Sequence, residues 1–451
     1  DPRLQRDAET AVAEALEGVA PPIDMAAVAV DPTTGFVKAM VGGRDFSAEG
    51  GQVNLALGNC ATPPPEFVDF VDVAASCWNP ENVVVEGGGT GRQPGSSWKP
   101  FVLATALEQG MAPTRSYSAP STYRIPNCTG EIGCTVSNYE GSGGGSATLR
   151  SATEKSYNTV YAQVINDVGV PEVAATAKRL GISSAWVANP QLHGTSYALG
   201  AQEVSPLDMA SAFGVFATNG RRFPATPVMW VKDADGEFLE DNRERQGEQV
   251  LDPNVAFQVT DILKGVITAG TGTAADIGRP AAGKTGTAQE WRDAWFVGYT
   301  PTLSTAIWMG NRDRPTSLFN VKGVARVTGG SIPAATWKAF MTEALAGVPP
   351  TEFEEPPPPP PPPAPPPTSP PPPPPSFIPP PPVSVPPTTA TTRPAFIPPP
   401  NLPTRTTLIV PQNPPGGRRD RPPRRTPTTV ATTTPTTASD STQETIRPQN
   451  P

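Results

Sequence analysis

Proline dominates the C-terminal part of this chain and limits most strongly what the whole sequence can fold into. The chain has 62 prolines in 451 residues, most of them after residue 349, and the run Pro356–Pro363 is unbroken. Proline lacks the amide hydrogen that helices and sheets require, and a segment nearly free of aromatic residues buries too little apolar surface to fold. We therefore predict a folded domain over 1–349 and a disordered or polyproline II tail over 350–451.

The first 349 residues have a globular mixture of apolar, charged and glycine residues, enough for one large core or two smaller ones. The formal net charge of −8 gives no reason to expect nucleic-acid binding. The glycine run at 141–146 is not followed by the G-K-[ST] of a phosphate loop, so we predict a connector there. We expect no metal and no cofactor. The chain begins with Asp1 and contains no run of eighteen apolar residues, so we expect a fragment or a processed form.

Hydrophobic periodicity and turn residues predict the order of the regular elements. Asp1 is predicted to cap a first helix, which ends at Gly18. One predicted hairpin has strands over 25–30 and 36–41, and a second has strands over 295–299 and 304–308. Further helices are predicted over 148–169, 173–180, 205–218, 254–268 and 333–345. Terminal strands with a central block of helices indicate a helix-covered antiparallel sheet beside an all-helical half.

A serine and a lysine stand three residues apart in the stretch RQPGSSWKP at 92–100. We predict a helix from Ser96 to about Gln109, and because side chains at i and i+3 share a face, the Ser96 hydroxyl and the Lys99 amine can meet. In the first turn, unpaired backbone N–H groups and the helix dipole favour a developing negative charge. A hydroxyl nucleophile needs a base. With only one histidine in the chain, lysine is the better candidate.

Two further motifs follow the first. One is Ser156-Tyr157-Asn158, in the predicted helix over 148–169, and the other is Lys284-Thr285-Gly286-Thr287, in a strand predicted over 283–289 at the edge of a cleft. Each motif alone is also typical of ordinary surface: a capped helix, a helix face and a turn. Together, the order S-x-x-K, S-x-N and K-T-G is the signature of serine penicillin-binding proteins and serine β-lactamases. The order therefore favours one shared site.

The sequence around these motifs resembles the transpeptidase domain of class A penicillin-binding proteins, the bifunctional peptidoglycan synthases. The resemblance covers residues 1 to about 349 and includes, besides the nucleophile stretch, TLRSATEKSYNTVYAQ, YALGAQEVSPLDMASAFGVFATNG, TAGTGTAADIGRPAAGKTGTAQE and DAWFVGYTP. It implies an α/β (α+β) fold of the penicillin-binding protein and β-lactamase type. In that fold an antiparallel sheet covered by helices lies beside an all-helical subdomain, with the active site between them.

The resemblance also implies a reaction, acyl transfer from a D-alanyl-D-alanine stem peptide. Ser96 would attack the carbonyl and release D-alanine, and an amine of a neighbouring stem would then take the acyl group. Lys99 would act as the base, with its pKa lowered by burial and by the charge of Lys284 where the motifs converge. Ser156 would relay a proton to the leaving nitrogen, and Asn158 would hold Lys99 and the substrate amide.

The K-T-G stretch has the implied role of binding substrate. Thr285 and Thr287, with Lys284, suit the terminal carboxylate of the substrate. The oxyanion would lie between the backbone N–H groups of Ser96 and Thr287. Gly286 would let the strand approach the substrate closely.

Three other functions share these motifs. A β-lactamase must activate a deacylating water, usually with a glutamate, and no segment here clearly resembles the loop that carries that glutamate. A D,D-carboxypeptidase would use water in place of the amine acceptor. A non-catalytic β-lactam sensor or binding module would keep the site without turnover, against which the intact set of motifs argues.

One region departs from the resembled family. Residues 56–90 form an insertion next to the nucleophile in sequence, which is interpreted as a surface loop or, alternatively, as a lid over the substrate. In an exported protein, the pairs Cys60–Cys77 and Cys128–Cys134 are plausible disulfides, but four cysteines allow three pairings, and four free thiols in a reducing compartment are the alternative.

The implied partners are peptidoglycan stem peptides and β-lactam antibiotics, on the extracytoplasmic face of a bacterial membrane. Membrane attachment would come only through an N-terminal anchor, which in the family precedes a glycosyltransferase domain, and neither is in this sequence. The tail is interpreted as a solvated spacer or, alternatively, as a docking segment for cell-wall or division proteins.

Overall fold

A computed structural model describes residues 1–45, 47, 53–57, 91–126, 128, 134–184, 187, 194–312 and 316–356. Most of the predicted insertion at 56–90, the pair Cys60–Cys77 and the tail after 356 lie outside these residues. The other predicted pair, Cys128–Cys134, is a disulfide in the structure. Within the described ranges, no helix is both long enough and apolar enough to span a membrane.

The α-helices of the described residues agree closely with the hydrophobic periodicity of the sequence. Asp1 caps the first of them, as predicted, because its carboxylate accepts the amide hydrogens of Arg3 and Leu4. The helices are α1 (Pro2–Leu16), α2 (Lys99–Glu108), α3 (Leu149–Glu154), α4 (Asn158–Val168), α5 (Val170–Leu180), α6 (Pro206–Ala217), α7 (Pro253–Thr268) and α8 (Ile332–Ala344).

The strands of the described residues belong to one central sheet and several two-stranded sheets. They are β1 (Ile23–Val30), β2 (Val37–Val41), β3 (Ser116–Ser118), β4 (Thr122–Arg124), β5 (Thr135–Ser137), β6 (Ser146–Thr148), β7 (Arg221–Arg222), β8 (Trp230–Lys232), β9 (Phe238–Asp241), β10 (Glu248–Gln249), β11 (Ala282–Thr287), β12 (Asp293–Tyr299), β13 (Ser304–Asn311), β14 (Phe319–Val321) and β15 (Val324–Arg326).

The central sheet has five antiparallel strands in the order β11-β12-β13-β1-β2. Both predicted hairpins are part of it, β1 with β2 and β12 with β13. Strand β11, which carries the K-T-G motif, pairs with β12 alone and forms one edge. The predicted strand over 283–289 is therefore present as Ala282–Thr287, and the structure places it at the edge of the sheet.

Both faces of this sheet are covered, so β12 and β13 are buried along their whole length. On one face α1 and α8 pack, with the ring of Phe296 5.3 Å from that of Trp337. On the other face α6 packs, with Phe213 6.3 Å from Tyr299. This second core continues into the helical half, where every residue of α2 from Lys99 to Leu107 is buried. A helix buried on all sides is the centre of that half.

The predicted single helix over 148–169 is wrong, because the chain breaks between α3 and α4. Ser156 has a left-handed φ of 59°, and the amide of Tyr157 reaches back to the carbonyl of Ala152 at 2.8 Å. This pattern closes the end of a helix. The break turns the Ser156 carbonyl out of the helical hydrogen-bond ladder, which a continuous helix would not allow.

The packed chain extends past the predicted domain boundary at 349. Phe353 is only 6% exposed, and its ring lies 5.6 Å from that of Tyr299. Asn219 donates its side-chain amide to the carbonyl of Glu354 at 3.0 Å. The first residues of the predicted tail are therefore held against the core that α6 and α7 share with the sheet.

Candidate active site

The first motif begins with a tight turn. Residues Gly95–Trp98 form a 3₁₀ turn that leads directly into α2, so the predicted helix from Ser96 is α-helical only from Lys99. Gly95 has a φ of +55°, and a Cβ on it would lie 2.4 Å from the carbonyl oxygen of Thr287. Only glycine allows this contact, which sets Ser96 beside the edge strand of the sheet.

Lys99 is fully buried and faces the break between α3 and α4. Its Nζ donates to the Ser156 carbonyl and to Asn158 Oδ1, both at 2.7 Å, and to Ser156 Oγ at 3.3 Å. None of these bonds is to Ser96, so the predicted direct contact between the Ser96 hydroxyl and the Lys99 amine is not among the hydrogen bonds of the described residues. A neutral amine has two N–H donors, which matches the two short bonds and leaves its lone pair for a proton.

Asn158 fixes the direction of this arrangement. Its Nδ2 donates to the carbonyl of Ser137 at 3.0 Å, and its Oδ1 accepts from Lys99. An amide that gives its N–H₂ to a carbonyl on one side must present oxygen on the other. The S-x-N motif therefore supplies an acceptor to the lysine.

Lys284 reaches the same serine from the edge strand. It is fully buried, and its Nζ donates to Ser156 Oγ at 2.9 Å and to the Thr285 carbonyl at 3.0 Å. The structure thus brings Lys99 and Lys284 together on the hydroxyl of Ser156. Lys284 donates to that oxygen, and a neutral Lys99 has no N–H left for it beyond its two short bonds, so the Ser156 hydroxyl keeps its own proton for another acceptor.

Burial controls the protonation of both lysines. Desolvation lowers the pKa of Lys284 to about 7. Desolvation also lowers the pKa of Lys99 well below its usual value, and the charge of Lys284 lowers it further. Two ammonium groups on one serine repel each other, so a protonated Lys284 favours the neutral form of Lys99. The geometry thus suits a neutral Lys99 next to a charged Lys284.

The threonines of the K-T-G stretch are held by residues outside the motif. Thr285 Oγ1 lies 2.7 Å from Thr271 Oγ1 and 3.3 Å from Lys284 Nζ. Thr287 Oγ1 accepts the backbone N–H of Gly329 at 3.2 Å. Sequence reasoning missed Thr271 and Gly329, although the glycine pair at 329–330 just before α8 was a usable signal.

Gly286 lies against the turn that carries Ser96, the predicted nucleophile. A Cβ on Gly286 would lie 2.2 Å from the Pro94 carbonyl oxygen and 2.8 Å from Ser97 Oγ. Glycine is therefore needed for this contact with residues 94–98, here called the nucleophile turn, and the close approach of Gly286 to substrate stays a prediction. Trp295 adds a second tie, because its indole N–H donates to the Gln93 carbonyl at 2.9 Å.

The sequence comparison matches residues 25–320 to the family described as penicillin binding protein transpeptidase domain. Penicillin-binding protein 1A of Mycolicibacterium smegmatis is 32% identical over 367 residues, which are 77% of this chain and 41% of that protein. Penicillin-binding protein 1A of Mycobacterium tuberculosis is 33% identical and is covered over 39% of its length. The chain therefore spans well under half of these two relatives.

Solved structures give the same result. The PonA1 protein of Mycobacterium tuberculosis in complex with penicillin V has a TM-score of 0.63 at 30% identity, with 78% of this chain and 86% of that chain covered. The D,D-transpeptidase domain of the peptidoglycan glycosyltransferase of Eggerthella lenta has a TM-score of 0.52 at 26% identity, with 75% and 81% covered. The predicted resemblance and mixed fold are confirmed. The chain therefore belongs to the family of penicillin-binding protein transpeptidase domains.

Proposed function

We propose that this chain crosslinks peptidoglycan stem peptides as a serine D,D-transpeptidase and that β-lactams acylate it at Ser96. The observation that carries the proposal is the meeting of two fully buried lysines, Lys99 and Lys284, on the hydroxyl of Ser156. Burying two cations together is costly. A purely structural role would not require this burial. The burial does, however, produce the neutral amine that a serine nucleophile needs.

The proposed acylation starts with a proton transfer. Lys99, as the neutral amine, takes the proton of the Ser96 hydroxyl while the oxygen attacks the penultimate carbonyl of the D-alanyl-D-alanine end. The negative charge that develops on the carbonyl oxygen lies between the backbone N–H groups of Ser96 and Thr287. One such donor contributes about 3 kcal/mol to the stability of the transition state.

The leaving group departs as a neutral amine. Ser156 gives its proton to the nitrogen of the terminal D-alanine as the C–N bond breaks, and it takes a proton back from Lys99. Asn158 keeps Lys99 in place through these steps. In the second half of the reaction an amine of a neighbouring stem attacks the ester and its proton passes to Lys99. Lys99 then gives this proton to the Ser96 oxygen as the ester bond breaks, which releases Ser96 as a hydroxyl.

The sheet edge binds the other end of the donor. Lys284 is charged below neutral pH, since the pKa of its ammonium is about 7. The hydroxyls of Thr285 and Thr287 lie on the same strand and offer hydrogen bonds to the terminal carboxylate of the substrate. A β-lactam with a carboxylate in the same place would bind in the same way.

The test is labelling with a fluorescent penicillin followed by peptide mapping. We expect one stable adduct on Ser96 of the wild-type chain and none in Ser96→Ala. Ser97→Ala is the matched control, because Ser97 is the adjacent serine and its hydroxyl is bonded to the Pro94 carbonyl; it should still be labelled. Rapid loss of label with hydrolysed drug would identify a β-lactamase, and no label on a folded chain would identify a non-catalytic module.

The use of an amine acceptor distinguishes the two remaining functions, a D,D-transpeptidase and a D,D-carboxypeptidase. With a D-alanyl-D-alanine donor and a labelled D-amino acid as acceptor, we expect the labelled amine in the product. Release of D-alanine without incorporation of the acceptor would identify a D,D-carboxypeptidase.

The setting of the domain is also part of the proposal. We propose that the domain works on the extracytoplasmic face of the membrane, as the C-terminal half of a bifunctional synthase, and that its proline-rich tail is a solvated spacer. The two penicillin-binding protein 1A relatives support this, because each extends well beyond the matched part. Truncation at 356 should leave the cellular position of the synthase unchanged, and loss of septal or polar position would favour a docking tail.

A further inference from the structure

Two hydrogen-bond donors outside the three motifs meet the threonines that we propose as the carboxylate site. The Thr271 hydroxyl lies 2.7 Å from Thr285 Oγ1, and the Gly329 backbone N–H donates to Thr287 Oγ1 at 3.2 Å. Each threonine hydroxyl has one proton and two lone pairs. What the neighbours donate or accept therefore decides where that proton points.

At Thr287 the direction is unambiguous. The backbone N–H of Gly329 can only donate, so Thr287 Oγ1 is the acceptor and keeps its own proton for another partner. The turn at 328–330 reaches the strand because Gly329 has no side chain: a Cβ there would lie 2.0 Å from the Trp295 carbonyl oxygen and 2.5 Å from that of Gly286.

At Thr285 two polar groups lie within hydrogen-bond distance of the hydroxyl oxygen. Lys284 Nζ lies 3.3 Å away and has only donors while it is protonated. Between the hydroxyls of Thr271 and Thr285 either can donate. A carboxylate accepts hydrogen bonds and cannot give one, so when it is bound Thr285 must donate to it. Thr271 must then donate to Thr285.

Thr271 is fixed in position by the end of α3, on the helical side of the site. Its backbone N–H donates at 3.3 Å to the carbonyl of Glu154, the last residue of α3 and two residues before Ser156. A Cβ on the preceding Gly270 would lie 2.5 Å from that same carbonyl oxygen. Thr271 therefore links the end of α3, next to the S-x-N motif, to the K-T-G strand β11, although Thr271 itself is exposed.

We infer that Thr271 and the Gly329 amide form an outer pair of donors that turns the hydroxyls of Thr285 and Thr287 toward an anionic ligand. Thr271 is thus a positioning residue, which selects carboxylate-bearing donors through Thr285 without touching the reacting atoms. The inference rests on the proposed function, because it assumes that the ligand's carboxylate lies against these two threonines.

A double-mutant cycle with fluorescent penicillin on the 451-residue chain tests this role. Thr271→Val should slow acylation about fivefold to tenfold, the size of one lost hydrogen bond, and Thr271→Ser should restore it. In a Thr285→Val background the Thr271→Val change should cost less than about twofold, since the acceptor of its bond is gone. Thr273→Val, an exposed threonine in the same loop, is the matched control and should react as wild type.

The outcomes separate this inference from the proposed function. Equal labelling of the wild type and Thr271→Val overturns the inference alone, and so does a loss of the same size in both backgrounds, because a merely structural effect would not depend on Thr285. No label on the wild type overturns both. If thermal unfolding shows that Thr271→Val is poorly folded, Thr271→Ala removes the same hydroxyl at this exposed position and gives the same cycle.

Discussion

The site lies between a helical wall, formed by α2 and the break between α3 and α4, and a sheet wall, formed by β11. Each wall contributes one fully buried lysine, and the two lysines are held in different ways. On the helical wall Lys99 has two short bonds of 2.7 Å, to the Ser156 carbonyl and to Asn158. On the sheet wall Lys284 has longer bonds, of 2.9 and 3.0 Å, to Ser156 Oγ and to the Thr285 carbonyl. Equal burial therefore does not imply equal function.

The difference indicates how one site can keep a base and a cation side by side. The acceptors of the two short Lys99 bonds are both satisfied by a neutral amine, and the charge of Lys284 helps to keep Lys99 neutral. Lys284 in turn lies next to the threonines that would bind an anion, whose charge favours its protonated form. The helical wall thus suits proton transfer and the sheet wall suits recognition of charge.

The largest expected effect on acylation comes from replacing each lysine by arginine, which should affect the two lysines differently. Lys99→Arg should abolish acylation, with a loss of about 10³-fold or more, because a guanidinium does not deprotonate and general-base catalysis is lost. Lys284→Arg keeps the positive charge and should lose only about 10- to 100-fold through altered geometry. The measurement is the second-order rate constant of acylation by fluorescent penicillin, with thermal unfolding to show that both variants fold. If Lys284→Arg is the more damaged variant, the two roles are reversed.

A glycine on the sheet wall gives the next effect. Gly286→Ala places a methyl group 2.2 Å from the Pro94 carbonyl oxygen, so the nucleophile turn must move. We expect at least about a tenfold slower acylation and about 1–3 kcal/mol lower stability from overpacking. Gly278→Ala is the control: its φ is +67° but its Cβ would meet no atom, so stability should fall slightly and acylation should not change. Unchanged acylation in Gly286→Ala would show that the walls need not touch there.

The smallest expected effect on acylation comes from the hydrogen bond between Trp295 of the sheet and Gln93, just before the nucleophile turn. Trp295→Phe removes the indole N–H that donates to Gln93 and leaves a carbonyl without that donor, so acylation should slow about threefold to fivefold. Trp337→Phe is a matched control, because Trp337 is also fully buried and donates to the Gly298 carbonyl, away from the turn. It should lose stability and keep the rate. Equal rates in both variants would remove the positioning role of Trp295.

Much of this site could be predicted from the sequence because its residues lie in short motifs. The order of Ser96, Lys99, Ser156 and Lys284 indicated one shared site, and the K-T-G motif was predicted to lie in a strand, as it does in β11. The family is confirmed by the comparisons. The roles of the individual side chains stay predictions until the variants are measured.

The features that could not be predicted depend on contacts between distant segments. The break at Ser156 has no local signal, because the flanking sequence is apolar at helical spacing and only a left-handed serine ends α3. Thr271 donates to the backbone of Glu154, and Gly329 lies against the backbone of Gly286 and Trp295. No single stretch of sequence shows these contacts. Phe353 packs on Tyr299 although prolines follow it closely, so composition alone placed the end of the domain too early.

The pH dependence of acylation tests the central claim, a neutral Lys99 beside a charged Lys284, most directly. The second-order rate constant for penicillin should rise as Lys99 loses its proton, well below the ordinary lysine pKa of 10.5. It should fall again as Lys284 loses its own proton, whose pKa is about 7, and this alkaline fall should be absent in Lys284→Arg. A wild-type rate that keeps rising up to pH 10.5 would mean that Lys99 titrates like an exposed lysine, which would contradict the account.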